Sequence, residues 1–250
     1  MSNAVNWDTY ALCYDALLQL QPYQDLLFTV AQKSLGDHTH CHILDASCGT
    51  GNFILKRASL PKRDDAVYLG VDYSEAMLRR AQQKCSGISN CSFQKTNLNS
   101  PLPFLTGEFD QVVSINTLYA VENPEKTLRE FYRVLKPGGK LLLVNPTDKI
   151  ENGLILKEHA KSDLPDDFWT NGHSSPEKEE LLIRTAIHNP VTIEQMLYVA
   201  AHNRAIAKEA TFHLFSEHEL LRLTDGCGLK TRDLVLTYAD QAFFITAIKE

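Results

Sequence analysis

The chain has 250 residues, of which 44% are hydrophobic and 22% are charged. A chain of this length and composition can bury a core large enough to need no disulfide or metal for stability. The formal net charge is -6 and the basic residues form no run, which argues against a nucleic-acid partner. No apolar run is long enough for a membrane span, and the N-terminus lacks a signal-peptide pattern. We therefore expect a cytoplasmic protein whose six cysteines are reduced.

Strand and helix signals alternate through the first 146 residues. Residues 6–35 predict two helices with a break near Pro22. Further on, Asn123 is expected to cap a helix that has Pro124 at its first position and ends at Pro137-Gly138-Gly139. Five apolar strands are predicted at His42–Ala46, Val67–Asp72, Cys91–Thr96, Phe109–Asn116 and Lys140–Asn145. This alternation predicts a mostly parallel sheet with helices on both faces.

The alternation stops after Pro146. Two helical patches, Glu177–His188 and Thr192–Lys208, predict a helical cap inserted after the fifth strand. Ser216 is expected to cap a helix that reaches about Gly226, and two last strands, Lys230–Tyr238 and Ala242–Lys249, predict an antiparallel hairpin at one sheet edge. The predicted segments are N-terminal helices over the site, a core, a cap, and a C-terminal helix with the hairpin, spanning 1–36, 37–146, 147–211 and 212–250.

A glycine-bearing turn follows the first predicted strand in the sequence HILDASCGTGNF, residues 42–53. The strand ends in an acid, Asp45, and Gly49 and Gly51 let the backbone turn sharply into a helix and pass close to a ligand. A dinucleotide-binding turn has a similar shape, although Ser47 here replaces its first glycine. A turn of this kind alone is weak evidence of function.

A second acid, Asp72, ends the next predicted strand in YLGVDYSEAML. Nucleotide-binding α/β folds place an acid at this distance from the first turn, where the carboxylate accepts hydrogen bonds from the ribose hydroxyls. A solvated aspartate at a strand end is the simpler interpretation of Asp72 by itself. The first motif at this spacing favours the ribose interpretation.

These residues resemble the class I S-adenosylmethionine-dependent methyltransferases, and further motifs follow in that family's order. The segment KTNLNSPLPF resembles the stretch after the third strand, and EFDQVVSINTLYAVENPEKTLREFYRVLKPGGKLLLVNP resembles the fourth strand through the fifth. The resemblance covers about residues 40–146. It implies a Rossmann-like doubly wound sheet and S-adenosylmethionine as the cofactor.

The resemblance also implies roles for individual residues. Asp45 would anchor the amino end of the cofactor through the turn, and Asp72 would take the ribose hydroxyls. Asn97 stands where the family usually has an aspartate at the adenine amino group, and its amide oxygen can still accept that bond. Asn116 would lie beneath the methionine portion. The full set of expected cofactor-binding residues is Tyr14, Asp45, Ala46, Gly49, Gly51, Asp72, Tyr73, Met77, Asn97, Leu98 and Asn116.

Two tyrosines, Tyr10 and Tyr14, lie one helical turn apart near the N-terminus. In relatives with a similar opening this helix closes over the cofactor, and aromatic faces suit a sulfonium cation. Both rings could instead simply pack the helix onto the domain. The residues expected to face the acceptor are Tyr10, Tyr14, Tyr119, Asn145, Trp169 and His202.

No metal site is expected. The segment DHTHCH, residues 37–42, has an H-x-H spacing and a cysteine, but it precedes the first strand, where polar connections belong, and no carboxylate cluster supports it. A catechol-type metal-dependent methyltransferase stays open as an alternative. Histidines in and around the cap could act as a general base, although each is more simply a surface or cap residue.

The expected reaction is an in-line displacement that moves a methyl group to a carbon, nitrogen or oxygen of a small molecule. Such a reaction depends on alignment of the reactants in a water-poor cavity more than on a strong acid or base. One alternative is transfer or cyclisation of the aminocarboxypropyl arm with release of methylthioadenosine, and a second is a non-catalytic protein that binds the cofactor. A nucleic-acid amino-methyltransferase is disfavoured, because NTLYAV stands where those enzymes carry Pro-Pro-aromatic. The sequence does not predict an oligomeric state.

Overall fold

The structure is a computed structural model that describes residues 6–35, 40–61, 65–160, 175–208 and 212–250. The helices of these ranges are Trp7–Tyr14 (α1), Gln21–Ser34 (α2), Asn52–Ala58 (α3), Glu75–Lys84 (α4), Pro124–Val134 (α5), Asn152–Ala160 (α6), Pro176–Ala186 (α7), Pro190–Lys208 (α8) and Glu217–Gly226 (α9). The strands are His42–Ala46 (β1), Val67–Asp72 (β2), Cys91–Lys95 (β3), Phe109–Ile115 (β4), Leu135–Pro146 (β5), Leu229–Thr237 (β6) and Ala242–Lys249 (β7). Short 3₁₀ helices span Asp15–Gln19 and Leu118–Ala120.

The strands form one sheet in the order β3-β2-β1-β4-β5-β7-β6. The first five strands in this order run parallel, and β7 is antiparallel to both of its neighbours. The chain runs outward from β1 to β3 and then crosses to β4 on the other side of β1. Open α/β sheets bind ligands at the carboxyl ends of the strands beside such a switch point. The topology therefore places the expected site between the ends of β1 and β4.

Alternate strand residues supply two separate apolar clusters, one on each face of the sheet. Ile43 and Leu142 join a cluster with α1, α2 and the helices α6 to α8, whereas Leu44 and Leu141 join a second cluster with α5 and α9. This period of two is what a strand buried on both faces requires. The predicted Rossmann-like sheet, with helices on both faces and an antiparallel hairpin, is confirmed.

Two bounds differ from the prediction for identifiable reasons. The fifth strand begins at Leu135 rather than Lys140, because Leu135 pairs with Phe109 before the ladder resumes at Lys140 with Gln111. The Pro-Gly-Gly sequence therefore forms an irregularity within β5, and α5 already ends at Val134. The break predicted near Pro22 lies two residues earlier, at Leu20, because Pro22 occupies the first turn of α2, where a missing N–H costs no hydrogen bond.

The cap contains one helix that the sequence pattern did not predict. Helix α6 carries Gly153 in its first turn and shows no marked apolar stripe, so periodicity is a poor guide there. Its Ile155 and Leu156 are buried in the same apolar cluster as residues of α1, α2, α7 and α8. The cap and the N-terminal helices thus pack as neighbours over one face of the sheet. The division of the chain at residues 36, 146 and 211 stays a prediction.

The C-terminal hairpin has an unusual turn. Tyr238, Ala239 and Asp240 all have positive φ, at 57°, 56° and 60°. Left-handed backbone is disfavoured for residues with a Cβ. Three such residues in succession keep this conformation only because surrounding contacts stabilise it. The turn directs Tyr238 inward, where it is buried with its ring centroid 6.1 Å from that of Tyr23.

Candidate active site

A cavity of about 780 Å³ opens at the carboxyl ends of the strands. Its walls come from the turn after β1, the ends of β2, β4 and β5, and the helices α1 and α8. Eight of the expected cofactor-binding residues line it, namely Tyr14, Gly49, Asp72, Tyr73, Met77, Asn97, Leu98 and Asn116. Three of the residues expected to face the acceptor line it, namely Tyr10, Tyr119 and again Tyr14. The topology therefore brings together residues that lie more than a hundred positions apart in the chain.

The glycine turn is built from left-handed residues. Ser47, Gly49 and Gly51 have φ of 63°, 53° and 79°. At Gly49 a Cβ would stand 3.4 Å from Cε1 of Tyr14, so the ring of Tyr14 lies directly on the backbone of the turn. Gly51 faces away from the cavity, since a Cβ there would stand 3.0 Å from Sγ of Cys85. The geometry places Gly49 at the cavity surface and packs Gly51 against α4.

Asp72 supports the turn from the neighbouring strand. Its Oδ2 accepts a hydrogen bond from the Gly49 N–H and its Oδ1 accepts one from the Ser74 N–H, both at 2.9 Å. Burial raises the pKa of the carboxyl above its usual value, while these backbone hydrogen bonds oppose the rise. A carboxylate offers about four acceptor positions, so the two oxygens keep capacity for the hydroxyls of a ribose.

Asp45 and Ala46 lie beneath the cavity rather than in its wall. Asp45 is 2% exposed, and its Oδ2 has no hydrogen-bond partner among the described residues. Burial raises the pKa of this carboxyl well above its usual value, and the nearby charge of Asp72 adds to the rise. A buried carboxyl without a partner is costly for a fold, and such groups mark functional sites more often than chance.

The part of the cavity near the ends of β2 and β3 combines an exposed ring with a buried thioether. Tyr73 is 48% exposed, whereas Met77 and Leu98 are buried. The Oδ1 of Asn97 accepts a hydrogen bond from the Asn99 N–H at 3.0 Å. This bond fixes which way the amide points and occupies one of the two lone pairs of its oxygen.

Asn116 ends the wall formed by β4. It has φ of 50°, its N–H donates to the Val144 carbonyl at 2.9 Å, and its buried Oδ1 has no partner among the described residues. An unpaired buried amide oxygen on a cavity wall suits a ligand that donates a hydrogen bond or carries positive charge. The expected place of Asn116, beneath the methionine portion of the cofactor, fits this geometry.

The N-terminal helix closes the cavity from above. The hydroxyl of Tyr14 lies 3.1 Å from that of Tyr23, and the hydroxyl of Tyr10 donates to Oδ1 of Asn203 on α8 at 2.9 Å. Tyr10 is 3% exposed. Burial raises the pKa of both cavity tyrosines well above the usual value, so their hydroxyls stay neutral at physiological pH. Both residues line the cavity and also pack the helix onto the domain, and their contact with the cofactor stays a prediction.

Two of the expected acceptor residues lie outside the cavity wall. Asn145 is fully buried in β5 and its amide donates to the Pro146 carbonyl at 3.0 Å. The His202 ring lies against that of Tyr198, with centroids 4.1 Å apart and planes tilted by 32°. The next residue, Asn203, lines the cavity in its place. Trp169 lies outside the described residues.

The cavity is also lined by side chains that the sequence motifs did not indicate. They are Trp7, Asn152, Asn203, Phe212 and Tyr238. The ring of Phe212 lies 5.5 Å from that of Tyr119, measured between centroids. These residues come from α1, α6, α8 and two connecting segments, so no local pattern unites them. The tight turn predicted between the last two strands, at Tyr238 to Asp240, is the sequence feature that could have drawn attention to this part of the cavity.

Metal binding and membrane spanning find no support in the described ranges. No group of three or more histidine, cysteine, aspartate or glutamate side chains there is arranged for a metal ion. Residues 37–39 of the H-x-H segment lie outside those ranges. No described helix is both long enough and apolar enough to cross a bilayer.

Comparison with known proteins decides the family. The family described as a methyltransferase domain matches residues 37–205, about two thirds of the chain. The chain belongs to the methyltransferase-domain family. This confirms the predicted class of S-adenosylmethionine-dependent methyltransferases and S-adenosylmethionine as the cofactor.

Individual relatives share about half of the chain. The ubiquinone/menaquinone biosynthesis C-methyltransferase of Pseudoalteromonas translucida is 34% identical over 121 residues, 47% of each chain. The demethylmenaquinone methyltransferase of Lactococcus lactis is 36% identical over 125 residues, 48% of each chain. Among solved structures, a methyltransferase from Aquifex aeolicus superposes with a TM-score of 0.56 at 17% identity, covering 94% of this chain and 93% of that one. The structural likeness supports the fold, and the chain spans about half the length of the curated relatives it matches.

Proposed function

We propose that the protein transfers the methyl group of S-adenosylmethionine to a small, uncharged acceptor molecule that carries an apolar ring. One observation carries this proposal: a single cavity joins the cofactor wall to a chamber of aromatic side chains. The wall comprises Gly49, Asp72, Asn97 and Asn116, and the chamber comprises Trp7, Tyr10, Tyr119, Phe212 and Tyr238. A shared cavity lets two reactants meet without crossing bulk water.

The residues of the wall fit the chemical groups of the cofactor. Asp72 offers carboxylate oxygens to the ribose hydroxyls, and the free lone pair of Asn97 Oδ1 offers an acceptor to the adenine amino group. The unpaired Oδ1 of Asn116 and the ring face of Tyr14 suit a cation that has no hydrogen to donate. When bound, S-adenosylmethionine supplies an electrophilic methyl group on a sulfonium.

The chamber would act mainly by excluding water and aligning the acceptor. Burial raises the pKa of Tyr119 and Tyr238 above the usual value, so both hydroxyls are neutral donors and acceptors near pH 7. Transfer from a cationic sulfonium to a neutral nucleophile disperses charge, and a water-poor site favours such a step. Orientation of the acceptor then contributes more to the rate of methyl transfer than a strong base does.

The charges around the cavity support an uncharged acceptor. Among the described lining residues, the two carboxylate side chains, Asp72 and Glu122, belong to the cofactor half of the cavity. The acceptor half instead presents aromatic rings together with two amides, Asn152 and Asn203, and the imidazole of His213. Amides and hydroxyls bind a carbonyl or hydroxyl group, and rings bind an apolar ring. The names of the curated relatives, which refer to quinone biosynthesis, agree with a ring compound of this kind.

Product analysis tests the proposal. The purified protein is incubated with S-adenosylmethionine and a panel of phenols, quinols, amines and carboxylic acids, and the products are identified by mass spectrometry. We expect S-adenosylhomocysteine together with a methylated neutral ring compound. Methylthioadenosine in place of S-adenosylhomocysteine would assign the aminocarboxypropyl reaction instead. Tight binding of S-adenosylmethionine without any product from a broad panel would favour a binding protein.

The cellular location is part of the same proposal. All six cysteines are free thiols. Buried free thiols are typical of a reducing compartment, which supports a cytoplasmic enzyme.

A further inference from the structure

Asp15 links the N-terminal segment to the centre of the glycine turn. The hydroxyl of Thr50 donates to Oδ1 of Asp15 at 2.6 Å, and Nζ of Lys84 donates to the same oxygen at 2.7 Å. Arg80 approaches Oδ2 at 3.5 Å. Thr50 is fully buried. It lies between Gly49 and Gly51, both of which have left-handed backbone, and its side chain is the one in the turn that Asp15 contacts.

The contacts continue from Asp15 into a closed ring around the turn. Lys84 also donates to the Thr50 hydroxyl at 3.1 Å and to the side-chain oxygen of Asn52. The amide of Asn52 donates to the Tyr23 hydroxyl at 3.4 Å, and Tyr23 lies 3.1 Å from Tyr14. Tyr14 in turn packs on Gly49 and completes the ring. Every residue of the turn from Gly49 to Asn52 except Gly51 is thereby contacted by this network.

Asp15 carries its charge in this setting at physiological pH. Burial by itself raises the pKa of the carboxyl, but the hydrogen bonds from Lys84 and Thr50 and the charges of Lys84 and Arg80 outweigh it, so the pKa lies below its usual value. The Asp15 and Lys84 side chains are only 21% and 23% exposed. Ion pairs that are partly removed from water give little net stability, but they hold a geometry tightly when every hydrogen bond is made.

We propose that Asp15 is a positioning residue for the cofactor. Through Thr50 it holds the glycine turn in its left-handed conformation, and through the same contacts it keeps Tyr14 against Gly49. Asp15 itself does not line the cavity, so it acts on the cofactor through Thr50 and Tyr14. Binding of S-adenosylmethionine and the contacts that hold the N-terminal segment on the turn are therefore linked, and each favours the other by the same factor.

A pair of variants at Thr50 separates hydrogen bonding from packing. Thr50→Val keeps the shape of the side chain and loses the hydroxyl, whereas Thr50→Ser keeps the hydroxyl and loses a methyl group. Calorimetric titration with S-adenosylmethionine should show affinity reduced by at least about fivefold in Thr50→Val, which lies in the range of measured coupling effects, and nearly unchanged affinity in Thr50→Ser. Equal losses in both variants would overturn the proposal, because they would assign Thr50 a packing role.

Asp15→Asn and the double variant with Thr50→Val test whether Asp15 acts through Thr50. Asp15→Asn should weaken S-adenosylmethionine binding to a similar extent, and the double variant should bind no more weakly than either single variant. Losses that multiply in the double variant, or unchanged affinity in Asp15→Asn, would contradict the proposal. Asp25→Asn is the matched control, since Asp25 lies on the same segment and its carboxylate accepts an exposed hydrogen bond from Gln21.

Limited proteolysis gives a second measurement. Protection by the cofactor would not change in Thr50→Val if Thr50 had a purely structural role. S-adenosylmethionine should protect residues 6–35 from cleavage in the wild-type protein and protect them markedly less in Thr50→Val. Equal protection in both proteins would count against the linkage. Both experiments use the cofactor without an acceptor, so their result is independent of whether methyl transfer is found.

Discussion

The ring of Tyr14 lies on the backbone of Gly49, so that a Cβ added to Gly49 would stand 3.4 Å from Cε1 of the ring. Gly49 also donates its N–H to Asp72 at 2.9 Å. One backbone position thus contacts both the helix that closes the cavity and the acid at the end of β2. The resemblance to the methyltransferase family placed all three residues in the cofactor site, and the fold brings them into direct contact.

Gly49→Ala should weaken cofactor binding and also destabilise the fold. The left-handed φ of 53° costs an alanine about 1–2 kcal/mol, and the new methyl group meets the Tyr14 ring at the edge of the cavity. We expect calorimetry to show S-adenosylmethionine affinity lowered about tenfold or more, corresponding to about 1.4 kcal/mol. Wild-type affinity in the folded variant would remove Gly49 from the site.

Gly51→Ala should mainly destabilise the fold. A Cβ there would lie 3.0 Å from Sγ of Cys85 and 3.3 Å from the Cβ of Ala81, and the φ of 79° is again left-handed. We expect urea denaturation to show a loss of about 2–4 kcal/mol in the free energy of unfolding, since overpacking and backbone strain add. A variant as stable as the wild type would show that the turn does not pack on α4 as described.

Asp45→Asn should be more stable than the wild-type protein at pH values above about 4. The same variant should bind the cofactor more weakly. The raised pKa means that the folded state keeps a proton that the unfolded state loses above about pH 4, so the wild-type protein loses stability as pH rises through that value. Asparagine has the same shape and no such proton. We expect equal melting temperatures near pH 4 and a higher one for the variant at pH 8, by about 2–4 °C. A variant less stable than the wild type at pH 8 would contradict this.

Tyr10→Phe should affect the acceptor more than the cofactor. The Tyr10 hydroxyl donates to Asn203 and so fixes the orientation of its amide at the acceptor end of the cavity. Without that bond we expect kcat/KM for the acceptor to fall about tenfold, the equivalent of one hydrogen bond, with the dissociation constant of S-adenosylmethionine nearly unchanged. Parallel losses in both constants would assign Tyr10 to the cofactor instead.

Alkaline pH should destabilise the fold through the buried tyrosines. Burial raises the pKa of Tyr10, Tyr14, Tyr119 and Tyr238, so these hydroxyls keep their protons in the folded state when the unfolded chain loses them near pH 10. Each such tyrosine lowers the free energy of unfolding by about 1.4 kcal/mol per pH unit above that value. Urea denaturation between pH 9 and pH 11 measures the slope, and a slope of zero would show that these side chains ionise freely.

The cofactor half was predictable because its residues are local to strand ends and turns. The turn from Asp45 to Gly51 and the acid Asp72 occupy fixed places in a βαβ unit, so their spacing along the chain indicates their position in space. Eight of the eleven expected cofactor residues line the cavity. Asp45, Ala46 and Gly51 instead lie just beneath it, since a motif identifies the turn but not which side of it each residue faces.

The acceptor half was less predictable because it is assembled from distant segments. A shift of one residue on α8 places Asn203 rather than His202 on the cavity, and helical periodicity alone does not resolve one residue. Asn145 lies next to the end of β5 at the correct edge of the sheet, but it is fully buried and does not line the cavity. The turn that brings Tyr238 inward depends on contacts with Tyr23, more than two hundred residues earlier.

Calorimetric titration of Asp72→Ala with S-adenosylmethionine tests the proposed site most directly. Asp233→Ala is a suitable control, because that carboxylate pairs with Lys33 at the surface. The wild-type protein and the control should bind the cofactor with one site, whereas Asp72→Ala should bind about a hundredfold more weakly, since two hydrogen bonds to a charged group are lost. Equal affinity in all three folded proteins, or no binding by the wild type, would contradict the assignment of this cavity to S-adenosylmethionine.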